Sequence, residues 1–440
     1  MSFKTSWMVL TAMYAANAPA QIANYLGPGI LSRGAGDVGT RGGQQVDLRF
    51  SASLSGIVDN GLVPISVNGL GEIPVFNTTV GAEARLMAYG THHGKRSQFG
   101  MDYQGSYRYY KDYPYFNGSD QAISMGYTLQ ASRRLLIDMK GTGGTISYAN
   151  GGLYNFASES FNPATSQIFD SRSDFVQGSM DVTYMLSPRT SIQAGGYGFK
   201  VERRNKALIG VNGYALRGSI ERRVSRELTI GATFDHTHYD YPRVFGESDV
   251  NSYQATLARS LGRNWTINAS AGAYQIETQG LQRVALDPAV AAILGTTSGV
   301  EAFYRRLNIP AVKISLTRRF KSASASLSYE RSVNPGNGVY LTSRSEGGIA
   351  MVSYTGIHKW SFSGIGSYSS YSSVGQDLAQ YKSPGGGVGA TYSLTGPIQL
   401  LARYDMRHQA IDIVHGFSHT SYRMTFGVAF SPGDVPLSLW

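Results

Sequence analysis

The sequence predicts an all-β fold: a transmembrane, up-and-down antiparallel β-barrel of about 18 strands, within a range of about 16–18. Three observations predict it. Short segments of alternating apolar and polar residues recur from Val46 to Phe430, which is the period-two signature of strands with two unlike faces. The connections between these segments alternate strictly between short and long, as hairpins of an up-and-down barrel require. No apolar run long enough for a membrane helix follows residue 20, and only 15% of residues are charged, against about a quarter in soluble domains. A closed barrel is the remaining way to cross a bilayer.

At the N-terminus, Lys4, the apolar stretch Ser6–Ala16 and the small-x-small run Ala18-Pro19-Ala20 have the three parts of a secretion signal, 1–20, cut near Ala20. Residues 21–45 contain seven glycines and no amphipathic period, which predicts a flexible leader on the periplasmic side. The barrel is assigned to 46–430 and a C-terminal extension to 431–440.

The strands follow in order. The first, 46–57, leads into the long connection Val58–Thr78. Strands 79–90 and 97–108 are joined by the short turn Thr91–Arg96, and 121–131 and 134–147 by Ser132-Arg133. After the long Tyr148–Ser173 come 174–186 and 190–201, joined by Ser187–Arg189, then 211–222 and 227–239, joined by Arg223–Arg226. Strands 250–261 and 264–276 turn at Gly262-Arg263. The long segment Glu277–Arg305 contains Asp287-Pro288 and Gly295, a cap, a first-turn proline and a stop that predict a short helix. Strands 306–318 and 323–333 turn at Arg319–Ser322, and 346–356 and 359–371 at Ile357-His358. After Ser372–Ser383, strands 384–394 and 398–411 turn at Thr395–Pro397, and 420–430 ends the set.

The alternation assigns faces. Ile398, Leu400, Ala402, Tyr404 and Met406 meet lipid, as do Ile123, Met125, Tyr127 and Leu129, with polar residues between them pointing inward. A one-residue slip would place charges in hydrocarbon at about 2–4 kcal/mol for each midplane Arg or Lys, so register is constrained. Only the glycine-dense stretches Gly195-Gly196 and Gly385–Gly389 leave it open.

The last strand is the most diagnostic. Tyr422, Met424, Phe426, Val428 and Phe430 share one face, aromatic at both ends and apolar between. This resembles the closing strand of bacterial outer-membrane β-barrels, porin-like in size, and the resemblance implies that these five residues form the assembly signal read by the barrel-assembly machinery. In that family the aromatic is usually the final residue, whereas here ten more follow. Pro432 and Pro436 argue against a simple continuation of the strand.

The inward positions hold nine acids and nine bases. The acids are Asp47, Glu83, Asp102, Asp138, Asp181, Glu221, Asp235, Glu330 and Asp405; the bases are Arg49, Arg85, Arg108, Lys140, Arg217, Lys313, Arg403, Arg407 and Arg423. Such a wall predicts either a water-filled passage with a transverse field or cross-strand ion pairs, Asp47/Arg49 beside Glu83/Arg85 for example. For any single pair the structural role is favoured. Excess positive charge sits at the short turns, among them Arg133-Arg134, Arg222-Arg223 and Arg318-Arg319. Interfacial anchoring explains it better than an anionic partner at the mouth. Tyrosines around Tyr107–Tyr115 fit an interfacial girdle better than a sugar-stacking surface.

His236-Thr237-His238-Tyr239-Asp240 could begin a metal site, but no third ligand is identifiable, and a solvated strand end is favoured. The chain has no Cys, so thiol chemistry is excluded. The net charge of +10 would suit nucleic acid in a compact domain, but its dispersal over turns argues against that partner. No catalytic residues, metal or cofactor are assigned.

The resemblance implies outer-membrane localisation in a Gram-negative envelope, with lipid and the assembly machinery as partners, and passive diffusion of small polar solutes. The rivals are an exopolysaccharide export barrel, with a polysaccharide as partner, and an outer-membrane enzyme or adhesin with an occluded lumen. A plugged transporter is disfavoured because 25 residues between the cleavage site and the first strand cannot form a plug domain. Oligomeric state is left open.

Overall fold

A computed structural model describes residues 46–60, 78–146, 172–204, 206, 208–262, 264–285, 295–335, 341–374, 380–411, 417–432 and 434–437. The expected signal, leader and helix (apart from Gly295) lie outside the described residues, as does the long connection 148–171.

The strands are β1 (Val46–Asp59), β2 (Thr79–His93), β3 (Ser97–Tyr110), β4 (Gly118–Gln130), β5 (Leu135–Ile146), β6 (Ser173–Ser187), β7 (Thr190–Arg203), β8 (Val211–Arg223) and β9 (Leu228–Asp240). They continue as β10 (Gly246–Leu261), β11 (Trp265–Ala285), β12 (Ser298–Arg319), β13 (Ala323–Asn334), β14 (Ser343–Tyr354), β15 (Trp360–Ser373), β16 (Tyr381–Ser393), β17 (Ile398–Ile411), β18 (Phe417–Phe430) and β19 (Asp434–Leu437). From β1 to β18 each strand pairs antiparallel with its chain neighbours, and β1 also pairs with β18, from Ala52↔Phe430 to Asp59↔Arg423. The result is a closed 18-strand barrel, the fold expected from the alternation. Closure removes both sheet edges, so the backbone groups of the wall find partners within it.

Short turns close one end by local hydrogen bonds. Ser132 Oγ accepts from the amides of Arg134 and Leu135, and Ser225 Oγ accepts in the same way from Glu227 and Leu228. These side chains satisfy turn amides that the ladder cannot. Lys359 turns at φ 63°, a left-handed conformation that costs a non-glycine residue on the order of 1 kcal/mol.

One expectation is corrected. The segment 277–305 is not a loop throughout: β11 runs on to Ala285 and β12 begins at Ser298, paired residue for residue. Above the apolar band the outward face can be polar, and Glu277 and Gln279 made the arm of β11 read as loop. Within the C-terminal extension, Asp434–Leu437 form a further short strand. After a break at Ser431-Pro432, Asp434–Leu437 pair antiparallel with β1, Val46↔Leu437 to Arg49↔Asp434. Pro432 interrupts the ladder as expected, while Pro436 is accommodated in a four-residue strand opposite Asp47. Phe430 packs against Phe50 at 6.0 Å beside this seam. In the glycine-dense β16 a single register is found, with pairing to β17 skipped at Ser383-Pro384, where proline lacks an amide.

The outer face is apolar. Leu54, Phe426, Val428, Leu400 and Met406 are exposed, while their strand neighbours Ser55, Arg423, Thr425, Ala429 and Gln399 are buried on the inner side.

Candidate functional site: the barrel interior

At matching heights near the long-loop end, the interior has two unlike walls. One is charged and is built from β2, β3, β4, β17 and β18. Glu83, 1% exposed, receives Arg85 at 2.7 Å and Arg423 at 3.1 Å. Arg108, also buried, pairs with Asp120 on β4. On β17, Arg403 binds Asp405 at 2.6 Å, and Arg407 donates to Ser383 Oγ at 2.7 Å and to the Tyr381 hydroxyl. Tyr110 donates to Asp59 at 3.1 Å below a small apolar group of Ile57, Tyr110 and Phe116.

The other wall, about half a turn of the barrel away, is apolar. Phe175, Phe199, Val211, Tyr239, Val250 and Ile276 from β6–β11 form one buried cluster. Two described residues of the β13–β14 connection fold onto it. Leu341 packs over Gly246 and Gly280, where an added Cβ would stand 2.9 and 3.0 Å from its Cδ1. Glycine is what lets the connection lie this close. Tyr241 donates its hydroxyl to Leu341 O, and Thr342 Oγ1 lies 2.6 Å from Ser248 Oγ, itself 2.7 Å from Thr278 Oγ1. This latch sits on the inner face of β10 and β11.

The remaining charged positions are distributed round the wall. Arg217 binds Asp235 at 2.8 Å and Lys313 lies 3.6 Å from Glu330. Asp102 accepts from Gln104 at 3.0 Å and interacts electrostatically with Lys140. Asp138 accepts from Thr128 at 2.6 Å but stands opposite Asp181, a pair of like charges. Glu221 is half-buried opposite Gly231. For Asp47 and Arg49 only the backbone is described.

The suggested neighbourhood of Asp47/Arg49 with Glu83/Arg85 is wrong. Arg49 is opposite Tyr89 and Asp47 opposite Thr91, whereas Glu83 and Arg85 face Ser55 and Ser53. Antiparallel neighbours put the early residues of each strand at opposite ends of the barrel. The charged wall includes Asp59 and Asp120, which sequence reading missed because strand ends were drawn two or three residues short. Continuing the alternation of β4 backward from Ile123 would have found Asp120. Nothing local announced the Tyr241–Thr342 latch, whose partners are 101 residues apart.

His236 and His238 lie on the outer face. His238 Nδ1 is 2.9 Å from Asp249 on β10, and His236 Nδ1 is 2.8 Å from Asn251 Oδ1. Among the described residues no group of three or more His, Asp or Glu is arranged to hold a metal.

No protein-family model and no curated protein matches the chain. Among solved structures it is similar to Pseudomonas aeruginosa OccK1 (OpdK), at 12% identity and TM-score 0.44, over 87% of this chain and 98% of that chain. It is also similar to OccK3 (OpdO) of the same organism, at 10% identity and TM-score 0.42, over 89% of this chain and 96% of that chain. A third is OccK8 (OprE), again from Pseudomonas aeruginosa, at 11% identity and TM-score 0.40, over 89% and 98% of the two chains.

Proposed function

We propose that the chain is an outer-membrane, porin-like channel for passive diffusion of small polar solutes, with short turns toward the periplasm and long connections outside. The observation that supports this most is the closed 18-strand wall with a charged inner side. Barrels of about 16–18 strands have room for an aqueous passage. The latch of Leu341 and Thr342 fills part of the apolar side at the outer end, so passage is expected along the charged side, where Arg85 is 41% exposed.

A weak anion preference follows from that path. Five arginines (Arg85, Arg108, Arg403, Arg407 and Arg423) line it, but Glu83, Asp120 and Asp405 pair with four of them. Paired charges leave a small net field, screened at physiological salt beyond roughly 8 Å. Reversal potentials across a salt gradient test this reading: a mild anion preference that fades with ionic strength is expected. Strong selectivity persisting at high salt would instead favour the polysaccharide-export reading, which needs an unbalanced basic track.

A further inference from the structure

The end of the barrel bearing the short turns combines cations with exposed apolar tips. Every short turn from β2–β3 to β14–β15 contains Lys or Arg, and Glu227 is their only acid. Val224, Phe320 and Ile357, at three of these turns, are exposed large apolar residues. A ring facing only water would gain nothing from such tips, whereas a lipid interface takes up both components.

One sector is built more specifically. On the outer face, the Arg318 guanidinium lies 4.7 Å from the Trp265 ring centroid and 4.3 Å from that of Phe320. Two rings hold it in place, an arrangement that suits a planar guanidinium. Its Nε is buried with no hydrogen-bond partner among the described residues. Arg319 and Lys321 are exposed on the same turn, and Arg259 is exposed on β10. Further into the membrane, on the same face, Leu257 and Ile314 are exposed. Arg318, with Arg259 beside it on the same face and Lys321 at the turn, thus borders an apolar surface on the outside of the wall, away from the lumen. This is the order of groups met by a phosphate headgroup and its acyl chains, and a soluble anion on its way to the mouth would not meet them.

We propose that the short-turn edge of β10–β13, centred on Arg318, binds the phosphate of an anionic phospholipid in the inner leaflet. The proposal rests on the membrane-barrel orientation given above. Arg318 donates to the phosphate, Trp265 and Phe320 fix its plane, and Arg319 and Lys321 add long-range attraction.

Native mass spectrometry of the intact barrel, in micelles holding equimolar phosphatidylglycerol and phosphatidylcholine, tests it. Phosphatidylglycerol should be retained preferentially. Arg318→Gln should weaken retention roughly fivefold, and the triple variant with Arg319→Gln and Lys321→Gln on the order of a hundredfold. Arg318→Lys should recover part of the loss, while Lys200→Gln at the far rim should leave retention unchanged. Equal retention of the two lipids, or an unaltered preference in a heat-modifiable triple variant, would overturn the proposal. Conductance of the same preparations separates the two readings. A conducting barrel without lipid preference sinks only the lipid site, and a silent barrel that still selects phosphatidylglycerol sinks only the channel.

Discussion

Replacing Glu83 by Gln tests the charged wall most severely. The carboxylate is 1% exposed and holds Arg423, whose side chain is 6% exposed, at 3.1 Å; the 2.7 Å contact with Arg85 involves a side chain 41% exposed. Removing one partner of a buried pair costs about 3–5 kcal/mol, because the other charge stays desolvated. The contact with the exposed Arg85 should contribute at most about 1 kcal/mol. The loss should therefore be dominated by Arg423, at about 3 kcal/mol, somewhat less if water in the lumen reaches the guanidinium. Urea unfolding in detergent, followed by heat-modifiable mobility, measures it. A double-mutant cycle with Arg423→Gln should return a coupling of about 1–3 kcal/mol. The substitution also deletes one lumenal negative charge, so anion preference should rise in the same protein. A destabilisation below about 1 kcal/mol, with no coupling to Arg423, would refute the claim that this pair is buried and structural.

Three further expectations concern facing, the latch and topology. Leu400→Arg and Phe426→Arg, on the outer face, should reduce folded yield far more than Asn268→Arg on the inner face, by about 2–4 kcal/mol if near the bilayer midplane; equal yields of heat-modifiable barrel would show the faces misassigned. Tyr241→Phe removes the hydroxyl that binds Leu341 O and Thr342, and should loosen the latch by about 1 kcal/mol. Faster amide exchange at Thr342 and noisier open-channel current are the readouts, and unchanged exchange would count against the latch. Because the chain has no native cysteine, Asn117→Cys should be labelled on intact cells and Arg189→Cys should not; the reverse would invert the barrel.

Much of the fold was legible because strand alternation is local. The faces of β17 and β18 follow from residues such as Leu400, Gln399, Phe426 and Thr425, each reporting its own side of the wall. Hairpin turns were legible for the same reason, through residues such as Ser132 and Ser225. Strand ends were less so, because the outward face stops being apolar where the wall leaves the membrane, as at Glu277 and Gln279. Ion-pair partners depend on register, which parity alone does not supply. Glu83 could be placed inside from sequence, but its contact with Arg423, 340 residues away, needed the β18–β1–β2 closure. The Leu341 contact with Gly246 and Gly280 was hidden entirely, since it is made by a connection folding back onto the wall.

Single-channel recording of the purified barrel in a planar bilayer decides whether the lumen is open and water-filled. Stepwise conductance, linear with voltage and larger in Glu83-intact protein with a loosened Tyr241→Phe latch, is the expected result. A heat-modifiable, correctly inserted barrel that shows no current steps would contradict the channel and favour an occluded enzyme or adhesin.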